Sequence, residues 1–196
     1  RSLGRVVFNG DNYSQQWLQE AESRGLPVIA DTVAAMEALE DPKNWKLLGR
    51  FGVMTPEECA SRHEIMTENY NKVVGIEAAT LVQMVRRQIL PAAARYTGGV
   101  AKSVRDFSAA MGREQGYLED HLEQISDLTN AISNGVDSLE WDLDTLPEDP
   151  RERAVYMRDV VRRDMGQLRE VCDRAERIIP EDVWPIPTYT DLVHYV

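Results

Sequence analysis

Leu118, Leu122, Ile125, Leu128, Ile132, Val136, Leu139, Leu143 and Leu146 follow one another at spacings of three or four. That rhythm matches the 3.6-residue turn of an α-helix and puts nine apolar side chains on one face. A stripe of this length cannot stay in water, so at least one further helix must cover it. The sequence supplies one. After the compact turn LPEDPRER, in which Asp149 can cap and Pro150 can take the first helical position, Val155, Met157, Val160, Val161, Leu168, Val171, Cys172, Ala175 and Ile179 form a second stripe. So short a connection forces an antiparallel pair, and residues 117 to 179 are expected to form a long helical hairpin. Its stripes read either as the core of an intramolecular bundle or as a seam shared between subunits.

The rest of the chain supports a mainly all-α fold. Thr55, Pro56 and Glu58 provide a cap, a preset first turn and a capping-box carboxylate. They start a helical stripe through Ile65, Met66, Tyr70, Val73 and Val74 that resumes with Leu81 to Ile89, with a possible hinge at Gly75 and an end or kink near Pro91. Gly98-Gly99 marks a joint, and Met111 to Gly116 an interruption. Before Thr55 the sequence predicts short helices around turns. Arg5 to Phe8 reads as a strand or extended arm, Ser14 caps a helix that Gly25 terminates, Thr32 to Leu39 is helical, and Pro42 opens a third segment. After Ile179, Pro180, Pro185 and Pro187 predict an extended tail in which Trp184, Tyr189 and Leu192 need packing partners. The expected division is residues 1–54, short helices joining a larger body, and 55–196, the long-helix bundle with its tail, the whole forming one structural unit.

Charge narrows the partners. The 196 residues carry 22 Lys and Arg against 33 Asp and Glu, a net charge of −11. The summed field repels phosphate backbones and anionic lipid, so neither nucleic acid nor a membrane is expected as partner. No run approaches the ~20 apolar residues of a bilayer span, and the first residues lack the form of a signal peptide. Only Cys59 and Cys172 are present, which suits a reducing, cytoplasmic setting. The chain opens on Arg1 rather than Met, which predicts a processed product or an excised domain.

The search for chemistry returns little. Asn9-Gly10-Asp11-Asn12 follows an apolar run as a phosphate loop would, but neither glycine-rich phosphate motif is present, and Asp11 would repel an anion; a turn is expected. Cys59 and His63 are i,i+4 neighbours with Glu64 and Glu68 nearby, a spacing that could hold a metal. No third His or Cys lies close, and none of His63, His121 and His194 completes a Glu-x-x-His motif. A packing cysteine and a polar-face histidine are the expected reading. His121 is expected to face solvent or a neighbouring helix. Arg86-Arg87 and Arg162-Arg163 read as solvated faces or interhelical ion pairs. No catalytic, cofactor-binding or metal-ligating residue is assigned.

Three phrases, VVFNGDNYSQQWLQEAESRGL, NWKLLGRFGVMTPEE and SRHEIMTENYNKVVGIEAATLVQMVRRQILPA, occur in this order before the two long helices. Together they resemble the C-terminal region of type III glutamine synthetases, over essentially the whole chain and most closely from Val6 to Pro91. The resemblance implies a parent enzyme that joins ammonia to glutamate with ATP and Mg or Mn through a γ-glutamyl phosphate, in large double-ring homo-oligomers. It also implies that the metal ligands, nucleotide elements and substrate arginines precede this region, so none is carried onto a residue here. The chain is then expected to be a noncatalytic structural and oligomerisation domain, inactive alone, with the catalytic domain and neighbouring subunits as partners. Two other readings stay open: a free-standing helical protein-binding module, and a metal-dependent bundle enzyme built on Cys59 and His63.

Overall fold

A computed structural model describes residues 4–194. The helices, in chain order, are α1 (Gln15–Ser23), α2 (Thr32–Glu37), α3 (Pro42–Arg50), α4 (Pro56–Met84), α5 (Leu90–Met111), α6 (Gly116–Asp144), α7 (Pro150–Tyr156), α8 (Arg162–Glu176) and α9 (Tyr189–His194). Among the described residues there is no strand. The chain divides into two compact units, residues 1–67 and 68–196, and the division falls inside α4.

In the first unit the helix ends follow local chemistry. Ser14 Oγ accepts from Trp17 N at 3.3 Å, Asp31 Oδ1 from Ala34 N at 2.9 Å, and Asp41 Oδ1 from Lys43 N at 2.8 Å. Each bond satisfies a donor that a helix start leaves orphaned. Thr55 and Glu58 close the expected capping box on both sides, Glu58 Oε2 accepting from Thr55 N at 2.7 Å and Thr55 Oγ1 from Glu58 N at 3.1 Å. The strand or arm expected over Arg5 to Phe8 is instead a 3-10 turn at Gly4–Val6, closed by Val7 N donating to Gly4 O. With no neighbouring strand among the described residues, local turn bonds are the available way to satisfy that backbone. The Asn9-Gly10 turn is a joint. A Cβ on Gly10 would lie 2.6 Å from the Phe8 ring, which in turn meets Trp17 with centroids 4.7 Å apart. Gly10 therefore lets the chain fold its aromatic side chain back onto α1.

The second unit holds the main core. Ile125, Ile132, Val136 and Leu139 of α6 pack with Val161, Leu168, Cys172, Ala175 and Ile179 of the returning arm, and with Val74, Ala78, Val85, Ile89 and Ala93 from α4, α5 and the turn between them. The predicted hairpin is present. Asp149 Oδ1 caps its second arm by accepting from Arg151 and Glu152 N, and Pro150 follows. Val155, expected in the stripe, is exposed, because the buried face runs through Ala154, Met157 and Val161 at spacings of three and four; one turn of π-helix at Met157–Val161 joins α7 to α8, which starts at Arg162.

Gly75 does not hinge α4, and Gly98-Gly99 lies within α5, so tertiary packing outweighs glycine's cost of about 1 kcal/mol per helix position. Pro91 neither ends nor simply kinks the helix. A π-helical turn at Val85–Ile89 precedes it, with Leu90 N donating to Val85 O five residues back. The tail is not wholly extended either. Thr188 and Asp191 form a capping box, Asp191 Oδ2 accepting from Thr188 N at 2.7 Å, and start α9. Trp184 joins the core, whereas Tyr189 and Leu192 remain exposed; residues 195 and 196 of the tail lie outside the described residues.

Candidate functional site

The candidate site grows from α2, a helix of six residues that could not persist alone. Val33 and Met36 are buried, and a turn continues the chain past Glu37, with Glu40 N donating to Glu37 O. Glu37 and Glu40 thus stand one turn apart. On α4, Cys59, His63 and Thr67 recur every four residues and are all buried. Thr67 Oγ1 donates to Met36 Sδ at 3.9 Å, registering the two helices.

His63 consequently faces α2 instead of solvent. Its side chain is 2% exposed, with Nε2 3.1 Å from Glu37 Oε1 and Nδ1 3.8 Å from Glu40 Oε1. The expectation of a polar-face histidine is corrected by this packing, because the buried stripe of α4 runs through His63. The packing cysteine is found: Cys59 is free and buried. The group whose ligand atoms all lie within 4.8 Å of one another is Glu37, Glu40 and His63, without Cys59, Glu64 or Glu68. An i,i+4 spacing shows which side chains share a helix face, but Glu37 is 26 residues away. No signal in the sequence pairs it with His63.

The other titratable residues are held in structural contacts. His121 is half-buried, its Nε2 2.8 Å from the Tyr96 hydroxyl and its ring stacked on Tyr117 with centroids 5.9 Å apart. Burial raises the Tyr96 phenol above its ordinary value. These residues, with Arg95, Val100 and Val183, border an open groove of about 600 Å³ in the second unit. Arg86 of the π turn bridges Asp137 and Glu140 of α6. The hydrogen bond from Arg86 holds the Glu140 carboxyl below the ordinary range. Arg86 thus makes the expected interhelical ion pairs, whereas Arg163 is exposed and pairs with its neighbour Asp164 on the same helix. Burial pushes the Cys172 thiol up to about 12, which leaves it a packing group rather than a nucleophile. No helix of the described residues is long and apolar enough to cross a membrane.

This arrangement of capped short helices followed by a long helical hairpin has relatives. The glutamine synthetase C-terminal domain family matches residues 1–108. The type-3 glutamine synthetase of Dictyostelium discoideum is 30% identical over 196 residues, an alignment covering 96% of this chain and 27% of that protein. A glutamine synthetase of Butyrivibrio fibrisolvens is 29% identical over 211 residues and one of Bacteroides fragilis (strain YCH46) 26% over 196, with the same two shares. The chain thus spans 27% of the length of each of these relatives. Because the family match takes in more than half of the residues, including every phrase that carried the resemblance, the chain belongs to the glutamine synthetase C-terminal domain family.

Proposed function

We propose that this chain is a noncatalytic structural domain of a glutamine synthetase. In this reading it supports a catalytic body that joins ammonia to glutamate with ATP and Mg or Mn, and it contributes contacts to neighbouring subunits of a homo-oligomer. One observation carries the proposal: the first unit leaves large apolar side chains uncovered. Tyr13, Phe51, Val53 and Ile65 are 97%, 71%, 62% and 62% exposed. Val53 and Ile65, with Met54 and Met66, line a groove of about 510 Å³ rimmed by Glu58 and Arg62. Exposed apolar side chains gathered at one groove are the usual mark of a contact surface. A chain 27% as long as its relatives leaves most of their length to cover it.

Two measurements test the reading. The purified 196-residue chain, given ATP, Mn, glutamate and ammonia, should form no glutamine; formation of glutamine would refute the noncatalytic role. In the longer protein that contains it, Val53→Asp combined with Ile65→Lys should lower the assembled mass in light scattering while leaving the helical circular dichroism of the isolated chain unchanged. An unchanged assembly would refute the contact role of this groove.

A further inference from the structure

Glu37, Glu40 and His63 set two carboxylates against the two nitrogens of one buried imidazole. A neutral imidazole has one N–H donor and one nitrogen lone pair, whereas carboxylates only accept. Here both ring nitrogens face carboxylate oxygens, at 3.1 and 3.8 Å. A cation among these groups, either a second ring proton or a metal ion in its place, satisfies both carboxylates. The imidazole is 2% exposed, so its nitrogens are screened from bulk water. The carboxylates are 51% and 27% exposed, which leaves a path from solvent to the cluster.

The geometry suits a metal. One atom from each of the three residues lies within 4.8 Å of the others. Bonds of about 2.0–2.2 Å to one ion require ligand atoms roughly 3–4 Å apart, a contraction within reach of two partly exposed glutamates. Imidazole nitrogen with two carboxylate oxygens favours zinc and its transition-metal neighbours over magnesium or calcium, which take oxygen ligands. The surroundings also need a staple. Among the described residues the buried apolar side chains of the first unit are Ala21, Val33, Met36 and Cys59, a thin core that includes two residues of α2. Small units with so little core are commonly held by a metal or a disulfide, and both cysteines of this chain are free.

We propose that Glu37, Glu40 and His63 bind one divalent transition-metal ion of the zinc class, which staples α2 to the first half of α4. Water completes the coordination on the solvent side. Proton release accompanies binding, since the imidazole must be neutral to act as a ligand.

Zinc titration of the metal-stripped 196-residue chain by calorimetry tests this. The expected result is one zinc per chain at neutral pH, weakening in acid as protons compete for the imidazole. Glu37→Gln and Glu40→Gln each remove one ligand at a partly exposed position, so the fold should survive, as judged by circular dichroism. Each should weaken binding by about tenfold or more. Zinc should raise the melting temperature of the wild type and not of the double variant, while Cys59→Ser should hold its affinity within about twofold of wild type. The absence of saturable binding up to millimolar zinc would overturn the proposal, and so would wild-type affinity in both glutamine variants. Zinc binding abolished by Cys59→Ser but kept in the glutamine variants would overturn it in favour of the sulfur ligand.

Discussion

Asp142 is 3% exposed on the inner face of α6, where an ionised carboxylate has lost its water. Tyr156 donates its hydroxyl to Oδ1 at 2.9 Å, and Oδ2 has no hydrogen-bond partner. Burial comes first among the causes that push the Asp142 carboxyl above its ordinary value, and the nearby Asp164 carboxyl adds to it. A raised pKa in the folded state gives stability that is complete below the unfolded value near 3.8 and is lost as pH rises through the folded value. Asp142→Asn keeps the shape and the Tyr156 bond without the charge. Its unfolding free energy by urea titration should match wild type in acid and exceed it increasingly toward neutral pH. The sequence shows Asp142 beside Leu143 on an amphipathic helix, but its burial depends on how the returning arm is rotated.

The apolar positions Val74, Ala78, Leu81, Val85, Ile89, Ala93, Tyr96 and Val100 cover 26 residues in seven steps. At about 100° per residue an ideal helix would turn this face by roughly 80° over that span, close to the angle of one residue. The π turn at Val85–Ile89 takes up one extra residue and returns Ile89, Ala93 and Val100 to the core side. Register, more than proline, therefore explains the bulge. Pro91→Ala should leave the π turn in place and change stability by about 1 kcal/mol or less, well below the ~3 kcal/mol of a proline forced into a regular helix. Urea unfolding of that variant checks the magnitude, and a backbone structure checks the bulge. The unbroken run of four-residue steps from Leu81 to Ala93 carries the bulge in the sequence. No comparable drift explains the second π turn at Met157–Val161. The centre of the leucine stripe behaves as its periodicity predicts. Ile132 is wholly buried, and Ile132→Ala should cost about 2–5 kcal/mol by calorimetry or urea titration.

At the scale of the whole molecule the two units differ in what holds them. Residues 68–196 share a continuous core, whereas residues 1–67 bury few apolar side chains and rely on caps, turns and the Glu37, Glu40 and His63 cluster. Local stability follows buried apolar contact, so amides of α2 and α3 should exchange with deuterium well before those in the middle of α6 and α8. Equal protection in both sets would contradict this difference. Half of the large exposed apolar side chains among the described residues lie in this smaller unit, so a partner that covered them would add stability where the chain has least of its own.

The sequence by itself determined the hairpin, the capped helix starts, the packing of both cysteines and the family, because each is written in local spacing or in the order of recognisable phrases. Periodicity and capping act within a few residues and survive reading one position at a time. Only the tertiary structure decided that His63 faces α2, that Asp142 is buried against Tyr156, that Gly98-Gly99 stays helical and that the chain after Thr188 turns into α9. Glu37 and His63, 26 residues apart, meet because Met36 and Thr67 set the register of two helices, and no local rule contains that contact.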